Sequence, residues 1–185
     1  MTLPIAPPLE PMLALLVGDI PEGPHWQYEP KWDGFRCLAF KDGDQVELQS
    51  KAGQSLTRYF PELVERLRAT SAPRGVLDGD IVIPMEDGLS FDDLLQRIHP
   101  AESRVRRLAQ ETPAVYIVFD LLVDAEGRSL LAKPLAERRA DLERFAAEHF
   151  GSPPGLRLSP VTRDAAAARR WLASAGGALD GILAK

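Results

Sequence analysis

The sequence predicts an α+β fold with largely antiparallel sheets flanked by helices, and three observations carry that prediction. Asp42-Gly43 lies between two short apolar-rich runs, "RCLAF" and "VELQS", which is hairpin chemistry. Two longer apolar stretches, "RGVLDGDIVIP" and "AVYIVFDLLV", have strand length and β-branched content. The segments between them have helical spacing but do not alternate as regular βαβ units, so strands and helices mix without a doubly wound sheet. With 185 residues, 45% hydrophobic and 26% charged, the chain can bury a sizeable core as one domain or one domain with a small lobe.

Each element has a local reason. Residues 1–27 form a lead-in punctuated by Pro4, Pro7, Pro8 and Pro11, expected to pack on the domain of residues 28–185. After the hairpin, "TRYFPELVERLRAT" predicts a helix starting near Pro61, where proline is tolerated in the first turn, with Leu63, Val64 and Leu67 on one face. "SFDDLLQRI" and "AESRVRRLAQ" predict two helices separated at Pro100, because the residue before a proline disfavours the helical region. "PLAERRADLERFAAEHF" predicts a long helix ending before Gly151, followed by a strand "GLRLSPV", a helix "DAAAARRWLASAG" and a last strand "LDGILAK".

Composition excludes several functions. The apolar run "MLALLVG" is seven residues long and no basic segment precedes it, so neither a leader nor a membrane span is predicted and a cytoplasmic protein is expected. A lone Cys37 has no disulfide or metal partner, which agrees with a reducing compartment. His25, His99 and His149 lack ligand spacing. A net charge of −5 argues against coating of nucleic acid by the whole surface, while leaving a local cleft open. There is no glycine-rich phosphate loop and no serine or cysteine nucleophile signature, so lysine remains as the candidate nucleophile.

Residues 29–36, "EPKWDGFR", hold that lysine. If extended, they place Glu29, Lys31 and Asp33 on one face and Pro30 and Trp32 on the other. A lysine attacks only as the free amine, which desolvation beside Trp32 and neighbouring cations would favour and the flanking carboxylates would oppose. From residue types alone, a strand with an alternating ion-pair face is an equal reading.

"KWDGFR" resembles the Lys-x-Asp-Gly-x-Arg motif of the covalent nucleotidyltransferases: DNA ligases, RNA ligases and mRNA capping enzymes. Further segments match in the same order: "SKAGQSLTRYFPEL", "VLDGDIV", "YIVFDLLV" and "LDGILAK". The wording "EPKWDGFR" is most similar to bacterial ATP-dependent DNA ligases, particularly the small repair and end-joining type. The resemblance implies an ATP-grasp-like adenylation domain that uses ATP and Mg²⁺ to form a covalent lysyl-AMP intermediate for nick sealing in DNA repair. An RNA ligase or capping-type enzyme is the alternative within the class. A non-catalytic fragment that binds ATP or DNA is the alternative outside it.

The resemblance implies a role for each matching residue. Lys31 would attack the α-phosphorus of ATP. Arg36 would hold the ribose or phosphate region, Asp80 the ribose, and Lys185 a phosphate. Phe119 would stack on adenine and Glu29 would read its exocyclic amine, while Asp180 would bind the metal. Without the resemblance, Phe119 reads as a core aromatic, Asp78 and Asp80 as an acidic edge, Glu29 as half of an ion pair, and Lys185 as a charged end.

The chain also departs from the pattern. Asp80 and Asp180 stand where the family has glutamates, shortening each reach by a methylene, and Lys51 stands where arginine is usual. The family's final lysine-rich motif and oligonucleotide-binding-fold domain do not follow "DGILAK", so the adenylation domain is expected to be C-terminally incomplete. Arg104, Arg106, Arg107, Arg138, Arg139, Arg169 and Arg170 fall on predicted helices, where solvated faces are expected. Nicked or broken duplex DNA is therefore an expected partner, bound weakly by these residues alone and not sealed at a useful rate.

Overall fold

A computed structural model describes residues 1–151, 155–173 and 179–185. Its centre is a five-stranded sheet in the order β3-β2-β4-β7-β8. β2 (Phe35–Asp42) and β3 (Gln45–Ser50) form the expected hairpin. β4 (Arg74–Val82) pairs antiparallel with β2 and with β7 (Val115–Val123), and β8 (Leu156–Leu158) joins β7 in parallel. That parallel edge had no sequence signal, because three residues carry too little period to show direction. A short hairpin of β5 (Pro84–Met85) and β6 (Gly88–Leu89) was likewise not foreseen.

Period-two alternation gives the sheet two unlike faces. One carries Cys37 and Ala39 of β2, Leu77 and Ile81 of β4, and Tyr116 and Val118 of β7 in a single apolar cluster. α1 (Pro61–Arg68) contributes Leu63, Val64 and Leu67 to it, as its spacing predicted, and α4 (Leu135–His149) contributes Leu142 and Phe145. α2 (Phe91–Gln96) adds Leu94 and is capped by Ser90, whose hydroxyl accepts from the Asp93 amide. α3 (Glu102–Glu111) follows after the break at Pro100.

On the opposite face the apolar cover is interrupted. Leu38, Phe40, Val76 and Val123 lie under Ile5, with Leu3 and Leu9 beside it. Val82, Val115 and Ile117 lie under Trp32 and Leu89. Between these clusters the same strands present Arg36, Asp78 and Asp80.

A separate two-stranded ribbon pairs β1 (Tyr28–Trp32) with β9 (Leu179–Ala184). Reciprocal backbone bonds between Tyr28 and Thr162 anchor β1, as does the Tyr28 hydroxyl, which donates to the Pro21 carbonyl at 2.7 Å. α5 (Ala165–Ala173) packs on the ribbon. The predicted end of that helix at residues 174–176 lies outside the described residues. Asp33 follows β1 in a bend rather than continuing its face, because the register shifts after Lys31 and the chain turns into β2. The turn needs glycine: a Cβ on Gly34 would sit 2.6 Å from the Ile81 carbonyl oxygen.

Two arginines depart from the expected solvated faces. Arg138 is held by both oxygens of Asp120 on β7, and buried Arg139 donates to the Ser159 carbonyl at 2.8 Å and to Glu143. They tie α4 to the sheet edge instead of facing solvent. Arg106 and Arg107 are exposed and make i,i+4 pairs with Glu102 and Glu111, as a solvated face would.

Candidate nucleotide site

Lys31 faces Gly181 across the ribbon, and its ammonium makes an ion pair with Asp180. Gly181 adopts φ +145°, which side chains rarely tolerate, and this allows the ribbon to bend where the register shifts. Lys31 and Asp180 are 45% and 54% exposed, so the pair is open to solvent. The desolvation by Trp32 expected from sequence is not seen. The indole instead packs on the Val82 cluster and donates to the Ser159 hydroxyl at 3.1 Å.

Two residues before the lysine, Glu29 is 1% exposed. One of its oxygens accepts from the Gln27 amide at 3.0 Å and the other from the Lys185 ammonium at 2.7 Å. Backbone bonds in both directions between Gln27 and Lys185 close the end of the ribbon. Gln27 was not singled out from sequence, since nothing local marks a buried glutamine as the partner of a carboxylate two residues on.

The floor of the cleft is the polar strip of the sheet. Arg36 grips Asp78 with two bonds, Nε to Oδ1 at 2.5 Å and a terminal nitrogen to Oδ2 at 2.7 Å. Burial works against the Arg36 charge, but the Asp78 carboxylate and nearby Asp80 outweigh it and raise the arginine pKa. Burial likewise raises Asp78, with Arg36 opposing. Asp80, directly opposite Arg36 in the register, is pushed up to about 6 by burial, while Arg36 opposes and Asp78 adds to the rise. Alternation had placed Asp78 and Asp80 on one face. Only the strand register revealed that Arg36 pairs diagonally with Asp78 rather than with Asp80.

Phe119 closes the arrangement. It is 3% exposed yet belongs to none of the three apolar clusters; Lys185 Nζ lies 4.3 Å and the Arg36 guanidinium 4.5 Å from its ring centroid. Among the described residues, two cations therefore face this ring, as they do not face the rings of the apolar clusters on the same sheet face. Lys185 thus joins Glu29 to Phe119, Arg36 joins Phe119 to the strip that holds Asp80, and Asp80 feels the charges of Lys185 and of Lys31, which pairs with Asp180; Lys51 is exposed in the loop after β3. Cys37 takes no part, since burial raises its thiol well above the ordinary range.

Ribbon, sheet and lysine give this chain the fold of a ligase nucleotidyltransferase domain. The family model described as ATP dependent DNA ligase domain matches residues 11–185, and the chain belongs to that family. It is 49% identical to DNA ligase C of Mycobacterium tuberculosis, over 100% of this chain and 51% of that protein. It is 46% identical to DNA ligase C2 of Mycolicibacterium smegmatis, over 100% and 51%. A mycobacterial DNA ligase D complexed with ATP and MES superposes with a TM-score of 0.64 at 26% identity, covering 96% of this chain and 54% of that one. The chain spans about half the length of the curated relatives it matches. Among the described residues, no helix is long and apolar enough to cross a membrane.

Proposed function

We propose that this chain is the part of an ATP-dependent DNA ligase that takes AMP from ATP onto Lys31, for transfer to nicked or broken duplex DNA in repair. The observation that carries the reading is the run of contacts that joins a buried carboxylate (Glu29), a cation-faced ring (Phe119) and a paired arginine (Arg36) through Lys185, with Lys31 on the same strand as Glu29. The Lys31 ammonium, paired with Asp180, first loses a proton through its solvent-exposed side. Its nitrogen then forms a bond to the α-phosphorus as the bond to pyrophosphate breaks, and a second proton leaves the nitrogen for solvent to give the phosphoramidate. Arg36, pre-set by Asp78, presents donors to the ribose or phosphate without the entropy of ordering a free side chain. In this reading Glu29 accepts from the exocyclic amine of adenine, Phe119 stacks on the base, and Asp80 accepts from the ribose hydroxyls.

Asp180 fits Mg²⁺, which is commonly held by one or two carboxylates together with substrate phosphates. Among the described residues no three ligand-type side chains come together, so an ion here would depend on phosphate oxygens for the rest of its shell. When bound, Mg²⁺ would neutralise charge on the departing pyrophosphate.

Incubation with ATP labelled at the α-phosphate, followed by peptide mass mapping, tests the proposal. The expected result is an acid-labile, alkali-stable adduct on Lys31 that Lys31→Ala lacks. An adduct on another lysine, or an acid-stable one, overturns it. Competition by GTP as effective as ATP would favour capping-type chemistry.

A further inference from the structure

The end of the cleft that would take the base is already filled. Lys185 lies over the Phe119 ring at 4.3 Å and donates to Glu29 at 2.7 Å. These are the two interactions that adenine would make with the same two groups: a contact on the ring face and an N–H donated to the carboxylate. The root of the lysine side chain is fixed, because its backbone amide and carbonyl both bond Gln27, at 2.9 and 3.0 Å. Arg36 touches the same ring, but two bonds to Asp78 hold its guanidinium toward the sheet. Lys185 has the more labile position, since its side chain can swing from Glu29 while its backbone stays in the ribbon.

Resting on the function proposed above, we infer that Lys185 occupies the adenine subsite of the nucleotide-free protein and makes the site selective for ligands that carry phosphate. A base enters only when the ammonium leaves Glu29, and a phosphate supplies the anionic partner that draws it away. A nucleoside supplies none: it must replace a charge-assisted bond to a buried carboxylate with a neutral one. Lys185 is then a specificity-determining residue, acting against the base and for the phosphate.

Calorimetric titration of the 185-residue chain with adenosine and with ATP separates these effects. Lys185→Ala, and Lys185→Thr as a variant suited to a strand, are expected to bind adenosine on the order of three- to ten-fold more tightly than the parent, because apparent affinity rises with the open fraction. Both should bind ATP less tightly. Inorganic phosphate should strengthen adenosine binding to the parent chain and leave the variants unchanged, a comparison whose first half needs no variant. Adenosine affinity that is unaltered or weaker in the folded variants, or indifferent to phosphate in the parent, overturns the inference. If Lys31 is still adenylated in that case, only the role of Lys185 fails. If no adduct forms and no form of the chain binds adenosine, the functional reading fails with it.

Discussion

The two faces of the five-stranded sheet are built by the same strands, one residue out of step, and they do different work. Toward the helices, Cys37, Ala39, Leu77, Ile81, Tyr116 and Val118 form one apolar cluster with α1 and α4, edged by buried Lys41, which donates to the Leu67 and Arg68 carbonyls, and by buried Arg97, paired with Glu62. Toward the ribbon, the apolar cover splits into two patches, and Arg36, Asp78, Asp80 and Phe119 occupy the gap. Apolar burial dominates the first face, with its buried cations at the margin, whereas on the second face the paired charges stand between the apolar patches. The candidate site therefore belongs to the second face, although no strand belongs to one face alone.

The largest expected effect comes from the ribbon side. Lys31→Ala should abolish covalent labelling while leaving the thermal unfolding midpoint nearly unchanged, because the lysine is half exposed and its pair with Asp180 is a surface pair. A large drop in the midpoint would show that the two faces are not independent. On the helix side, Leu142→Ala should cost about 2–5 kcal/mol of stability in denaturant titration, the usual range for emptying a fully buried leucine site. Labelling by the protein that remains folded should persist.

Phe119→Ala lies between these cases and sharpens the comparison. Base stacking is worth roughly 1–3 kcal/mol per base, so ATP binding should weaken by about that amount. The loss of stability should be smaller than for Leu142→Ala, since cations rather than apolar side chains face the ring. Equal destabilisation by the two substitutions would return Phe119 to the core.

The most gradual effect is a pH slope. The folded state holds Asp80 at about 6, above its ordinary value of 3.8, so between these values the native protein binds more protons than the unfolded chain. The contribution of Asp80 is therefore fully present below pH 3.8 and is lost as pH rises through about 6. Asp80→Asn should flatten that part of the stability profile, read by chemical denaturation at several pH values. An unchanged slope would mean that the Arg36 charge compensates the burial of Asp80 fully.

By itself, the sequence determined most of the elements and the candidate residues. The Asp42-Gly43 hairpin, the apolar face of α1 and the long strands β4 and β7 follow from turn residues and periodicity, which act within a few positions of the chain. Lys31, Glu29, Arg36, Asp80, Phe119, Asp180 and Lys185 could be singled out because their motifs are local, and their expected roles came from resemblance rather than from spacing. Tertiary structure alone decided the partners. Lys31 meets Asp180, Arg36 meets Asp78, and Lys185 spans Glu29 and Phe119, across sequence separations that no periodicity encodes. It also turned Arg138 and Arg139 from an expected solvated face into ties on β7 and Ser159. The physical reason is that periodicity places a side chain on a face, whereas the partner of a charge depends on strand register and on which element covers that face.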